Sequence, residues 1–419
     1  MGLQTTVLDN GIRITTESNP NVRSVSLGVW VKAGSRQDPP DRAGIAHFTE
    51  HMMFKGTKKR TAFQIAKEID ALGGVLNAHT TKEYSAYYVK VLDEHLENAL
   101  DVLGDIFLNS EFRPEELEKE REVVLQEIRM TEDTPDDYVT QLFSMAFFHN
   151  TPLGVSILGY PSTVKGFTRE HIINFIDQAY VPDSIVIAGA GSLDHARIVD
   201  IVGPQVETFN RSYYPNNTVK TPPMGGGILA QHKELEQVHI TMGTHGPGVT
   251  DNKRWTYIVL NTLLGGGMSS MLFQEARERL GIVYSIYSYL SSYEDCGALA
   301  VYAGTTLDHV NQTIEVIVNQ MARLKRGDLS EIKLDDIKAQ IKGHLLLARE
   351  STENRMATLA KNEIYYHRDI PIDEVIEKID SVTTQDLVKL AREIFVEDKI
   401  TLVALGKVDD AQLRRSLIL

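Results

Sequence analysis

Two periodicities of apolar residues divide the chain into predicted strands and helices. Alternating or short, uniformly apolar stretches predict strands, and apolar residues every three or four positions predict amphipathic helices. The predicted strands cover residues 25–31, 85–91, 184–190, 238–243, 298–304 and 399–406. Because strands and helices interleave, the pattern predicts an α/β (α+β) protein whose helices pack against mostly antiparallel or mixed sheets. The order of the strands within a sheet does not follow from this pattern.

The chain repeats part of its own pattern at a nearly constant spacing. A capped helix and buried strand at residues 168–191 recur at 383–406, the helix beginning at His95 recurs at His309, and the strand at Val25 recurs at Val238. Three matches in the same order and at nearly the same separation favour a gene duplication. Residues 213–227 contain three prolines and three glycines, which exclude a helix or a central strand there. We therefore expect two similar domains, residues 1–212 and 228–419, joined by a linker at 213–227.

Composition and charge exclude several classes of protein. With 419 residues, 42% of them hydrophobic, the chain is neither disordered nor a small disulfide-stapled domain. The 43 basic and 57 acidic residues give a net charge of −14, which argues against binding to nucleic acid or to an anionic membrane surface. The single cysteine, Cys296, excludes an internal disulfide and a Cys-rich zinc site. The first residues alternate like a strand, and no apolar run reaches the roughly 20 residues of a membrane helix, so we expect a cytoplasmic protein.

The strongest chemical signal is the pentad His47-Phe48-Thr49-Glu50-His51. On a helix, residues 47 and 51 lie one turn apart on the same side, so both imidazoles can reach one ion, and Glu50 can take a proton from a nearby water molecule. The spacing is that of the inverted zinc-protease motif. Chance gives at most about 0.05 such pentads for 13 histidines and 57 acidic residues in this chain. The alternative is a helix with two surface histidines and an ordinary glutamate.

A third protein ligand is needed, and the predicted helix that begins at Pro114 offers two candidates. Its apolar stripe consists of Leu117, Val124, Leu125 and Ile128. Glu120 and Glu127 both lie at the rim of that stripe, where a carboxylate needs a partner such as a metal ion. The periodicity does not say which of the two binds metal. Without the two histidines, a solvated carboxylate would be the better interpretation of Glu127.

The pentad is followed much later in the chain by Glu127, and Glu120 lies seven residues before Glu127. This pattern resembles the pitrilysin or insulinase family of zinc metallopeptidases, which are inverzincins. The length, the duplication and residues 265–285 are similar to the bacterial branch of processing proteases related to mitochondrial processing peptidase. The resemblance covers essentially the whole chain. It implies one Zn²⁺ per chain, with Glu50 as the general base and Glu120 as a carboxylate that steadies the site. The zinc ligands that it implies are His47, His51 and Glu127.

The resemblance also implies residues that bind substrate. Arg277 and Tyr284 match a pair that binds the substrate carbonyl near the metal, although the sequence alone fits a surface ion pair and a strand-core aromatic equally well. Residues 76–91 alternate like one strand, on which the resemblance places Asn77 and Ala78 at an edge that pairs with an extended substrate. His79 on that strand fits no ligand position. Asp137 and Gln141 occupy two positions that are acidic in processing peptidases preferring a basic substrate residue, so half of that pocket is present.

The second half lacks the pentad, because the spacing of the repeat places Asn261 at the position of His47. We therefore expect this domain to contribute surface and the Arg277 and Tyr284 pair, but no metal. The resemblance implies a homodimer that encloses a chamber, in which each active site is completed by the partner chain. The resulting prediction is a zinc-dependent endopeptidase for extended or unfolded peptides. The alternatives are a catalytically silent scaffold subunit and a non-catalytic partner of a heterodimer with the glycine-rich loop 265–267; the complete pentad argues against both.

Overall fold

The computed structural model describes residues 2–207, 209, 225–331, 333–410 and 413. Residues 213–224 of the predicted linker lie outside this part of the chain. The chain forms two compact units. Unit 1 consists of Met1–Arg129, Val155–Thr218 and Leu346–Asp369, and unit 2 consists of Met130–Gly154, Val219–Leu345 and Ile370–Leu419. Each unit therefore includes a segment from the other half of the sequence.

The described residues form eleven strands and fourteen α-helices. The strands are β1 (Gly2–Val7), β2 (Arg13–Ser18), β3 (Ser24–Val31), β4 (Val75–Thr80), β5 (Ser85–Leu92), β6 (Ile185–Gly191), β7 (Gly227–His232), β8 (Val238–Gly246), β9 (Val283–Ser292), β10 (Gly297–Thr305) and β11 (Thr401–Gly406). The helices are α1 (Ile45–Met53), α2 (Ala62–Ala71), α3 (Leu96–Asn109), α4 (Pro114–Asp133), α5 (Pro135–Phe147), α6 (Pro161–Val164), α7 (Arg169–Ala179), α8 (His195–Val206), α9 (Arg254–Gly265), α10 (Val310–Arg326), α11 (Leu334–Ala348), α12 (Thr352–Tyr366), α13 (Ile372–Asp380) and α14 (Thr384–Ile394).

Unit 1 is built on a six-stranded sheet in the order β1-β2-β6-β3-β5-β4. All neighbours are antiparallel except β2 and β6, which are parallel. Successive side chains of β3 point to opposite faces, so Leu27 and Val29 join the main core with helices such as α1 and α3, whereas Trp30 faces α12. Trp30 packs there beside Met356 and Leu359. The sheet thus has helices on both faces, with β4 at one edge.

Unit 2 repeats this arrangement with the five-stranded order β7-β11-β8-β10-β9, in which only β7 and β11 are parallel. Val301 on β10 faces the main core, whereas Ala300 faces α5. A Cβ atom at Gly243 on β8 would lie 2.4 Å from the Phe143 ring, so only glycine lets α5 approach this strand so closely.

The two sheets confirm the predicted fold class and duplication. Strands β2, β6, β3, β5 and β4 follow the same order as β7, β11, β8, β10 and β9, and the helix-and-strand pair α7 and β6 recurs as α14 and β11. The repeats found in the sequence are therefore equivalent elements of two similar folds.

The prediction of one strand over residues 76–91 is wrong. These residues form an antiparallel hairpin, in which β4 and β5 are joined by a turn closed by the hydrogen bond from the Thr81 N–H to the Tyr84 carbonyl. Alternation continues through a tight turn, so periodicity alone does not reveal the break. Among the described residues, we find no helix with the length and apolarity required to span a membrane.

Candidate metal centre

Helix α1 carries the pentad, and its N-terminus is capped by a residue outside the helix. Gly44 precedes the helix with φ +93°, and a Cβ atom there would lie 2.6 Å from the Leu158 carbonyl oxygen, so this position requires glycine. Glycine offers no capping side chain. Instead, the carboxylate of Asp38 accepts hydrogen bonds from the backbone N–H groups of Gly44 (2.7 Å) and Ala46 (3.1 Å). Asp38 thus caps the helix from a preceding loop.

The two histidines of α1 lie side by side on one face of the helix. Their ring centroids are 4.6 Å apart, while Phe48 and Met52 on the other side enter the core of unit 1. Burial, together with the neighbouring His51, lowers the pKa of His47 to about 3, so this imidazole is neutral. A neutral imidazole keeps the lone pair that a metal ligand needs.

Helix α4 brings two carboxylates to these histidines. The Glu127 Oε2 atom lies 3.7 Å from His47 Nε2 and 3.5 Å from His51 Nε2. One ligand atom from each of His47, His51 and Glu127 lies within 4.8 Å of the others, and this is the only such group of three among the described residues. Glu127 and Glu120 are seven residues apart, almost two helical turns, and they therefore approach α1 from the same side.

Glu120 contacts the other nitrogen of His51. Its Oε2 atom lies 3.0 Å from His51 Nδ1, and its Oε1 atom lies 2.6 Å from Lys55 Nζ. Because an ionised carboxylate only accepts, Nδ1 carries a proton, which leaves Nε2, the nitrogen that faces Glu127, as the ring atom that a metal ion could bind. Burial opposes ionisation of Glu120, but the hydrogen bonds from His51 and Lys55 lower its pKa overall. The two helices are thus joined by a charged hydrogen-bond network.

Glu50 lies on the same helix but outside this group of three. Its Oε2 atom accepts a hydrogen bond of 2.5 Å from the hydroxyl of Thr80, the last residue of β4. Burial raises the pKa of Glu50, the charge of Glu127 adds to this effect, and the bond from Thr80 and the charge of His51 oppose it. A carboxylate with raised pKa is a suitable proton acceptor and donor near neutral pH.

The donor set fits a zinc ion. Two imidazole nitrogens and one carboxylate oxygen converge, and three protein ligands with a fourth position for water are typical of catalytic zinc. Although burial alone would lower the pKa of His51, the hydrogen bond with Glu120 and the charge of Glu127 raise it, so the two carboxylates stabilise positive charge at this ring. The Nε2 atoms of His47 and His51 lie 3.7 and 3.5 Å from Glu127 Oε2, which is longer than a usual hydrogen bond. A divalent cation between them would give all three atoms a partner.

The edge strand β4 passes beside α1. Asn77 is exposed on this strand, and Ala78 is half-buried. Strand β5 pairs with one side of β4, and no described strand pairs with the other. His79 lies in edge-on contact with the rings of Tyr84 (5.8 Å) and Tyr88 (6.0 Å), so it belongs to an aromatic cluster and not to the group of possible ligands.

The remaining predicted substrate residues belong to unit 2. Arg277 lies on a π-helix (Phe273–Arg279), and its guanidinium donates to the carbonyls of Val283 (3.0 Å) and Tyr284 and lies 5.3 Å from the Tyr284 ring. Tyr284 is 72% exposed at the start of β9, so it is not a strand-core residue, and the ion pair with Glu275 is made by Arg279. Asp137 is exposed in the first turn of α5.

The sequence did not predict two residues that support the pentad: Asp38 caps the helix that carries it, and Thr80 donates a hydrogen bond to Glu50. Asp38 lies six residues before Gly44, a spacing outside the usual capping motifs, so no local pattern reveals it. Thr80 is one of two adjacent threonines, and only alternation along β4 could have placed it on the same face as Ala78.

Comparison with known proteins gives two family matches. Residues 13–160 match the family described as Insulinase (Peptidase family M16), and residues 166–341 match the family described as Peptidase M16 inactive domain. Relatives include an uncharacterized zinc protease of Bacillus subtilis (strain 168), which is 43% identical over 93% of this chain and 95% of the relative. An uncharacterized zinc protease of Streptomyces coelicolor is 37% identical over 98% of this chain and 91% of the relative.

Solved structures share the fold. A protease from Helicobacter pylori superposes with a TM-score of 0.90 and 22% identity, covering 97% of this chain and 99% of that one. A peptidase M16 inactive domain from Pseudomonas fluorescens also gives a TM-score of 0.90, with 18% identity over 98% of this chain and 99% of that one. At these identities the likeness concerns the fold alone.

Proposed function

The chain belongs to the insulinase family, peptidase family M16, and we propose that it is a zinc-dependent endopeptidase that cuts extended or unfolded peptides. The observation that carries this proposal is the convergence of His47, His51 and Glu127 within 4.8 Å, with the carboxylate of Glu50 on the same helix turn. One Zn²⁺ per chain would be held by these three side chains.

The proposed reaction assigns a task to each side chain. When bound, zinc would supply a Lewis acid that acidifies a water molecule and polarises the peptide carbonyl. Glu50 takes a proton from the attacking water and returns it to the leaving amine, which is general base and then general acid catalysis. Glu120 keeps the ring proton of His51 on Nδ1, so the Nε2 atom remains available as a ligand.

The proposed substrate binds as an extended strand. Strand β4 lies at the edge of its sheet, so Asn77 and Ala78 would offer backbone groups to a peptide with little demand on its sequence. Arg277 and Tyr284 would bind a substrate carbonyl, a role supported by their adjacent positions and by the exposure of Tyr284. Exposed Asp137 would favour a basic residue in the substrate.

The proposed assembly is a homodimer that encloses a chamber, in which Arg277 and Tyr284 of one chain complete the site of the other. A processing peptidase of this kind would admit unfolded chains and exclude folded proteins. The proposed location is the cytoplasm, which the single cysteine supports, because disulfides are rare in that compartment.

The deciding experiment measures metal content and cleavage together. The purified protein is expected to contain about one zinc per chain and to cleave a quenched fluorescent peptide, and a chelator should stop cleavage. Glu50→Gln should abolish turnover and keep the zinc, whereas Glu118→Gln, an exposed carboxylate change on α4, serves as the control. Zinc binding without cleavage of any peptide in a diverse library would favour the scaffold or partner subunit instead.

The dimer has its own test. Mixing an inactive Glu50→Gln chain with an inactive Arg277→Ala chain should restore activity in mixed dimers, because one site then has both intact parts. Absence of rescue after demonstrated exchange of chains would refute completion by the partner.

A further inference from the structure

The hydroxyl of Thr80 connects the substrate edge to the proposed general base. Thr80 ends strand β4, which carries Asn77 and Ala78, and its Oγ1 atom donates to Glu50 Oε2 at 2.5 Å. Because β4 packs beside α1, this bond joins the strand proposed to hold the peptide to the helix that carries the base.

Thr80 is itself held in place by the sheet. It pairs with Ser85 of β5, and the following turn is closed by the hydrogen bond from the Thr81 N–H to the Tyr84 carbonyl. The β-branched side chain restricts rotation about χ1, so the hydroxyl has few alternative positions.

The Thr80 hydroxyl has two neighbouring oxygen atoms and donates to the nearer one, Glu50 Oε2. Ser85 Oγ lies 3.3 Å from Thr80 Oγ1, but the Ser85 hydroxyl donates its own proton to the Ala33 carbonyl at 2.9 Å. An ionised Glu50 can only accept, so the Thr80 hydroxyl donates to it. Among the described residues, Glu50 Oε1 has no hydrogen-bond donor, so one oxygen is anchored while the other stays available for proton transfer.

We propose that Thr80 is a positioning residue that anchors one oxygen of the Glu50 carboxylate, so that the other is oriented towards the attacking water. This inference rests on the proposed peptidase function. A general base must lie within hydrogen-bond reach of the proton it removes, and small displacements of such groups reduce rates strongly. Thr80 does not touch the reacting atoms.

The kinetic test compares Thr80→Val with Thr80→Ser. Valine preserves the shape of the side chain and removes the hydroxyl, and we expect kcat to fall roughly 10- to 100-fold with KM changed less than about threefold. Serine restores the donor and should keep kcat within about threefold of wild type. Zinc content should be the same in both variants. The matched control is Thr49→Val on α1, which removes a buried hydroxyl that has no hydrogen-bond partner among the described residues.

A second measurement needs neither zinc nor activity. In the metal-free protein, Thr80→Val should lower the urea midpoint of unfolding, and it should do so less when Glu50 is already replaced by alanine, because the bond is then absent. This coupling decides whether the bond exists even if the wild-type protein cleaves no peptide, so failure of the proposed function can be recognised separately. Equal effects in both backgrounds, an unchanged kcat in Thr80→Val, or a serine variant as slow as the valine variant would each overturn the proposal.

Discussion

The network around Glu120 gives a prediction in which metal affinity and fold stability can be separated. Glu120 is only 4% exposed and bridges His51 Nδ1 at 3.0 Å and Lys55 Nζ at 2.6 Å. Glu120→Gln keeps the shape and one acceptor oxygen but removes the negative charge. We expect this change to weaken zinc binding and, independently, to lower the stability of the metal-free protein.

The two magnitudes come from different contacts. Loss of a carboxylate that orients a ligating histidine costs roughly 10- to 100-fold in metal affinity, or about 1.4–2.7 kcal/mol of binding free energy. Burial lowers the pKa of His51, and Glu120 raises it. Without the charge of Glu120 this pKa falls, so the ring becomes a weaker electron-pair donor to the metal. The bond to Lys55 contributes separately. Because Lys55 is 29% exposed, it can turn towards solvent when its bond to Glu120 is lost. Loss of this bond should therefore lower the free energy of unfolding by about 1–2 kcal/mol, less than leaving a buried charge unpaired.

The assay uses competition with a chromophoric chelator for zinc affinity and urea unfolding of the metal-free protein for stability. The variant Glu120→Gln with Lys55→Met should recover most of the lost stability, since no cation is left without a partner, but it should not recover the zinc affinity. Glu122→Gln, an exposed carboxylate change on the same helix, should leave both quantities at wild-type values. The reasoning is refuted if Glu120→Gln binds zinc as tightly as wild type, or if Lys55→Met restores the affinity.

Three further predictions concern stability and are all read from urea midpoints. Burial lowers the pKa of His47 to about 3, whereas its pKa in the unfolded chain is about 6.5. Between these pH values the unfolded chain binds more protons than the folded one. The stability of the metal-free protein therefore falls as the pH falls from about 6.5 towards 3. His47→Gln should remove up to about 3 kcal/mol of the difference between pH 7 and pH 4, and an unchanged difference would contradict the burial argument. Asp38→Ala removes the acceptor of two N–H groups at the start of α1 and should lower the free energy of unfolding by about 2 kcal/mol. Asp38→Asn keeps one acceptor oxygen and should lower it less, and equal losses would argue against capping. Gly243→Ala places a Cβ atom 2.4 Å from the Phe143 ring and should cost about 1–3 kcal/mol, most of which Phe143→Leu should recover if the clash is the cause.

The sequence predicted the elements of the fold but not their partners. The near-constant repeat spacing identified α7 and β6 with α14 and β11, because equivalent residues of two copies keep the same buried pattern. The packing of α12 on the unit 1 sheet and of α5 on the unit 2 sheet could not be predicted. Periodicity tells that a helix has an apolar face, but it does not tell which sheet that face meets.

The candidate site shows a similar division. The spacing of His47 and His51 is local, so helix geometry alone predicts that the two rings adjoin. The choice between Glu120 and Glu127 is not local, since both lie at the rim of the same stripe; in the structure Glu127 faces the two Nε2 atoms, and Glu120 faces the Nδ1 atom of His51. That difference depends on how α4 lies against α1. The bond between Thr80 and Glu50 likewise depends on a contact between a strand and a helix, which no single-segment pattern contains.

The second copy of the helix shows why, among the described residues, the three candidate metal ligands occur in one copy only. Among the described residues of unit 2, the repeat places Asn261 on α9 at the position of His47, and Leu264, which is fully buried in the core, at the position of Glu50. The position equivalent to His51 is Gly265, where a Cβ atom would lie 2.4 Å from the Ser288 backbone nitrogen of β9. The backbone of α9 therefore contacts the edge strand β9 directly. At the equivalent place in unit 1, α1 carries His51 and Glu50, and Glu50 accepts a hydrogen bond from Thr80 of the edge strand β4. Since a side chain larger than glycine would clash with the backbone there, the second copy lacks both the ligands and the room for a histidine at this position.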